Sequence, residues 1–80
     1  MKDTLRMFVE VDRAGKISLG VTPIADEDDL LFSVNNAPSE EYAIQEFLEA
    51  MRMYEAFSDE RVGISVSDIR KALRIARKMQ

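Results

Sequence analysis

Apolar and polar residues alternate from the start of the chain. In "LRMFVEVD" Leu5, Met7, Val9 and Val11 share one face, and Arg6, Phe8, Glu10 and Asp12 the other. A period of two marks a half-buried strand. "DRAGK" follows, with Gly15 available for a left-handed backbone, and alternation resumes in "ISLGV" through Ile17, Leu19 and Val21. A short glycine-containing loop with Asp12 facing Lys16 makes residues 4–21 a hairpin. That register sets Val11 against Ile17, Val9 against Leu19 and Met7 against Val21. A slip of one residue would turn every apolar side chain to the wrong face.

"TPIADEDD" reads as a connection, because Pro23 lacks a donor and four successive carboxylates resist burial. "LLFSV" predicts a third strand with Leu30, Phe32 and Val34 inward, closing an antiparallel sheet within residues 1–34. "NNAP" predicts a turn leading into a helix, with Asn35 or Asn36 tolerant of unusual backbone angles.

The period then becomes helical. Ser39 is the expected N-cap of a helix over 39–57, with Glu40 and Glu41 where the helix dipole favours negative charge. Ala43, Ile44, Phe47, Leu48, Ala50, Met51, Tyr54 and Phe57 form one broad stripe, so this helix should cover the sheet. "SDERVG" predicts a linker, with a short edge strand through Val62, Ile64 and Val66. Ser65 and Asp68 fit a capping box that opens a second helix over 66–79. The expected fold class is α+β in the order β-β-β-α-α, a single domain of 80 residues with no internal repeat.

Charge changes this picture at the end of the chain. The net charge is −4, yet residues 1–60 carry five basic and fourteen acidic side chains, and residues 61–80 carry six basic and one acidic. On the last helix Arg70, Lys71, Arg74, Arg77 and Lys78 fall within an arc of ~120°. Ile69, Ala72, Leu73, Ile75, Ala76 and Met79 fill much of the rest and should pack. The cationic side must stay outside, since charge cannot be buried unpaired. It is either a solvated face that answers the helix dipole or a partner-binding surface for an acidic protein or a phosphate backbone. Five phosphate contacts would give a salt slope of about −4.5. The acidic remainder opposes nucleic acid, this helix has no aromatics for base stacking, and no helix-turn-helix precedes it. A protein partner is the favoured reading, and a nucleic-acid-binding regulator the alternative.

The acidic side offers less. In "ADEDD" Asp26 and Asp28 would open an EF-hand loop, but Leu30 and Leu31 stand where a ligand and the turn glycine belong. No metal is expected. Carboxylates at Asp26, Glu27, Asp28, Asp29, Glu40, Glu41, Glu46 and Glu49 would suit mimicry of nucleic acid in a cationic groove, or simply solubility. Tyr42 and Met53, with Glu46 and Glu49 between them, form a candidate contact patch on the outer helix face. Phe8, across from Gly20, and Leu31 form another on the outer sheet face, unless Phe8 only shields the glycine.

Catalysis is not expected. The chain has no His and no Cys, so the usual general base and the strongest nucleophile are missing. Ser67 and Lys71 are spaced S-x-x-x-K with no glycine-rich elbow, and Gly15, Gly20 and Gly63 form no phosphate loop. No cofactor is expected either. Charges throughout "MKDTLRMFVEVD" argue against a leader or a membrane span, and the absence of cysteine suits a cytoplasmic location. A chain this short without covalent or metal staples gains from self-association, so a homodimer is a further expectation. Together these features point to a small acidic interaction module, a modulator or inhibitor acting by occlusion. Phage host-takeover and anti-defence proteins share such a profile as a class.

Overall fold

The computed structural model describes residues 5–79; the expected start of the sheet within residues 1–4 lies outside them. Three strands, β1 (Leu5–Val11), β2 (Ile17–Pro23) and β3 (Phe32–Ala37), form an antiparallel sheet in the order β1-β2-β3. Two helices follow, α1 (Glu40–Ser58) and α2 (Val66–Lys78). Both pack on the same sheet face, α1 over β2 and β3 and α2 over β1.

The hairpin forms in the register that the alternation demands: Val11 faces Ile17, Val9 faces Leu19 and Met7 faces Val21. Asp12 builds the turn. Its carboxylate accepts from the N–H groups of Ala14 and Lys16, and Gly15 takes φ 84°. Leu5, Ile17, Leu19 and Val21 then enter one core with Ala43, Ile44 and Phe47 of α1 and Ile69 and Leu73 of α2.

On the outer face Phe8 lies over Gly20, where a Cβ would come 2.2 Å from the Phe8 ring tip. Gly20→Ala is therefore expected to dislodge the ring and cost about 1 kcal/mol. In a Phe8→Ala background the same change should be neutral or stabilise by about 0.5–1 kcal/mol, the usual gain of alanine over glycine in a strand. Urea unfolding of the four proteins checks this; equal costs in both backgrounds would mean that ring and glycine are not coupled.

The third strand departs from expectation. It starts at Phe32, and Leu30 is 48% exposed rather than inward. The carboxylate-rich loop is taken up by two tight turns, Asp26 N–H to Pro23 O and Asp29 N–H to Asp26 O. The chain rejoins the sheet only where Leu31 N–H donates to Val21 O. "NNA" is strand rather than turn, because Asn36 adopts φ 56° and its N–H donates to Ser18 Oγ at 3.1 Å. Between Ile17↔Ala37 and Leu19↔Val34 the register shifts by one residue, a bulge. The tolerant asparagine is thus used inside the sheet.

Ser39 caps α1, accepting from Tyr42 N–H at 3.2 Å. The α1 stripe packs as expected through Tyr54 except for Ala50, which lines the outer side of the helix beside β3, and Phe32 stacks between Phe47 and Tyr54 at centroid distances of 5.3 and 5.5 Å. Phe57 does not belong to it. It is 87% exposed, one turn beyond Tyr54, the last α1 side chain packed on the core.

The expected edge strand at 62–66 is absent as well. Val62 and Ile64 are buried, but Gly63 takes φ 70° and breaks the pleat. The Val62 N–H is satisfied instead by the Glu55 carboxylate at 2.7 Å.

Candidate functional site

The capping box at the start of α2 is formed in both directions. Ser65 Oγ accepts from Asp68 N–H at 3.2 Å, and Asp68 Oδ2 accepts from Ser65 N–H at 2.9 Å. The backbone N–H bond from Ser65, then its hydroxyl, hold the Asp68 carboxyl below its ordinary value. A lowered carboxyl pKa contributes stability above the unfolded value of 3.8, lost as pH falls through the folded one. The helix is therefore anchored at its start across the neutral range.

From that anchor, Ile69 and Leu73 drop into the core and fix the rotation of the cylinder. Arg70, Lys71, Arg74, Arg77 and Lys78 are all exposed. Four of them, Arg70, Arg74, Arg77 and Lys78, line one recess of about 420 Å³ together with Glu40 from the first turn of α1. Arg77 Nη1 donates to Glu40 Oε1 at 2.9 Å, and Arg70 Nε stands 3.9 Å from Glu40 Oε2. The Glu40 side chain is only 29% exposed. Arg74 and Lys78 have no ion pair among the described residues. The recess thus holds four cations around one carboxylate, a local excess of positive charge on an acidic protein. Lys71 is turned aside and lines a separate depression with Leu5, Arg6, Met7, Ile24 and Asp68.

Of the two candidate apolar patches, one is a continuous surface. Tyr42, Glu46, Glu49 and Met53 line a shallow groove of about 280 Å³ beside Ser33, Val34 and Asn35 of β3. Tyr42 and Met53 are 49% and 62% exposed. Phe8 and Leu31 do not join it. Phe8 covers Gly20 on the far side of the sheet, and Leu31 is half-buried against the core instead of lying beside Phe8.

Two of the eight carboxylates face cations of the chain itself. Glu27 in the β2–β3 loop pairs with Arg6, and Glu40 is enclosed by cations. No group of three or more Asp or Glu among the described residues is placed to hold a metal ion. Among the described residues no helix is long and apolar enough to cross a membrane.

Sequence reasoning missed two features. Glu40 was expected to serve the α1 dipole, not to organise arginines 30 and 37 positions later. Ile75 and Met79, expected on the packed side of α2, are 61% and 82% exposed. Their signal was present on the helical wheel: from Ile75 round to Val66 the apolar arc spans ~180°, wider than contact with one sheet uses. No protein-family model matches the chain, and neither a curated protein nor a solved structure matches it.

Proposed function

We propose that this chain is a non-catalytic protein-interaction module that occludes a partner by receiving a carboxylate-bearing segment in the α2 recess. The supporting observation is the arrangement of Arg70, Arg74, Arg77 and Lys78 around Glu40. Glu40 already shows how a carboxylate sits there, accepting from Arg77 with Arg70 beside it. Arginine forks suit carboxylates and phosphates alike. The net charge of −4 favours a compact acidic peptide over a long polyanion, whose flanking phosphates would meet the acidic body of the protein.

The test is a fluorescence-anisotropy titration with a labelled oligoglutamate peptide, a DNA duplex and a single-stranded oligonucleotide at about 50 and 200 mM salt. The peptide is expected to bind, and Arg74→Glu/Lys78→Glu to weaken it about tenfold or more. Glu40→Gln, which removes the resident carboxylate, is expected to strengthen it by up to about fivefold. If duplex binds and peptide does not, the nucleic-acid reading replaces this one. If neither binds at the lower salt, both readings fall.

A further inference from the structure

β1 runs along one edge of the sheet, and among the described residues no strand lies on its other side. In an antiparallel ladder, alternate residues direct both backbone groups to the same neighbour. Asp12 N–H donates to Lys16 O, so the even-numbered residues of β1 face β2. On the far side of β2 the odd-numbered Val21 accepts from Leu31, as that parity requires. Met7 and Val9 therefore direct their N–H and C=O groups outward. Over residues 5–10 β1 contains no proline, glycine or bulge, the kind of edge that templates pairing. The opposite edge is interrupted by the Asn36 bulge.

The surface beside this edge is mainly apolar. Met7, Val9, Ala72, Ile75 and Met79 line a groove of about 430 Å³ between β1 and α2, with Glu10 its one charged lining residue. Ile75 and Met79 overhang it largely in water. The flank of α2 that carries Arg70 and Arg77 is turned the other way, to Glu40.

We propose that a second copy of this chain docks here. The two β1 strands pair antiparallel about a two-fold axis through Phe8, which joins the two sheets into one of six strands. The apolar flanks of the two α2 helices then close over the junction.

Charge selects this register. With the axis at Phe8, Arg6 lies opposite the partner's Glu10, and Glu10 opposite the partner's Arg6. Phe8 meets the partner's Phe8, and on the inner face Met7 meets the partner's Val9. Centring on Val9 would set Phe8 against a glutamate, and centring on Met7 would set Arg6 against a phenylalanine. Opposite charges and aromatic pairs stabilise antiparallel neighbours. Arg6 and Glu27, paired within one chain, are both more than half exposed, so reorienting Arg6 costs little. A standard interface covers about 800 Å² per partner, roughly a seventh of the 5522 Å² surface. Edge strand and groove together form one continuous surface for it. The basic recess stays outside, so this assembly stands or falls independently of the proposed partner.

The test is sedimentation velocity on the full chain between about 10 μM and 1 mM. A concentration-dependent dimer is expected. Glu10→Arg sets two like-charged pairs across the axis and should weaken the dimer about tenfold. The swap Arg6→Glu/Glu10→Arg should restore it. Ile75→Glu, at a position exposed in the single chain, should dissociate the dimer while circular dichroism stays unchanged. A monomer throughout the range overturns the proposal. So does a dimer indifferent to Glu10→Arg and Ile75→Glu, or one that the charge swap does not restore.

Discussion

Phe47→Ala is expected to leave the protein at the limit of its stability. Phe47 has no exposed surface and is among the largest fully buried side chains. Its ring meets Phe32 at 5.3 Å, and Phe32 in turn meets Tyr54. Truncation opens a void where α1 crosses the sheet and removes one end of that aromatic row, leaving Phe32 only its Tyr54 neighbour. Buried Phe→Ala changes cost about 3–5 kcal/mol. A domain of 80 residues has only about 4–12 kcal/mol in total. Urea unfolding followed by far-ultraviolet circular dichroism should show a midpoint near the start of the titration, or no native baseline. Phe57→Ala is the matched control, since the same chemistry at an 87% exposed site should change stability by less than about 0.5 kcal/mol. Comparable losses at both positions would place Phe57 against the core, contrary to the packing described above.

The second large effect concerns the helix that carries the basic recess. Leu73→Ala is expected to cost about 2–5 kcal/mol and to act first on α2. Ile69 and Leu73 are the two buried residues of this helix. A helix of 13 residues is marginal alone in water, so most of its stability comes from that contact. Amide exchange should become faster over 66–78 than over β1 and β2, and oligoglutamate binding should fall with it. Ile75→Ala should leave the stability of the single chain within about 0.5 kcal/mol. If Leu73→Ala lowers protection evenly over the whole chain, α2 is not a separable unit and the local part of this expectation fails.

The asymmetry between Leu73 and Ile75 shows where reading the sequence stops. Both are aliphatic, both lie on the apolar arc of one helix, and a helical wheel places both on the packing side. The sheet has its edge at β1, so there is core beneath Leu73 and none beneath Ile75. Phe57 and Leu30 fail for the same reason. Their periodicity is correct, but each falls beyond the last element able to cover it. Val62 and Ile64 are the converse case: alternation predicts a strand through them, yet they are buried without one, because the Gly63 backbone keeps them out of a ladder. In the recess, Arg70, Arg74, Arg77 and Lys78 were legible as a group, whereas the contact with Glu40 joins positions 37 apart in the chain.

Short-range interactions settled everything that depends on a handful of neighbouring residues. The hairpin register, the Ser39 cap, the Ser65–Asp68 box and the face of α2 that stays wet follow from side-chain period and local hydrogen bonding, which act within a turn or a strand pair. Tertiary packing alone decided which apolar residues find cover, that Asn36 bends inside a strand, that Lys71 leaves its fellow cations, and that Glu40 sits among arginines. Those outcomes depend on which distant segments come to share one small volume, and nothing in the local pattern encodes the position of a sheet edge.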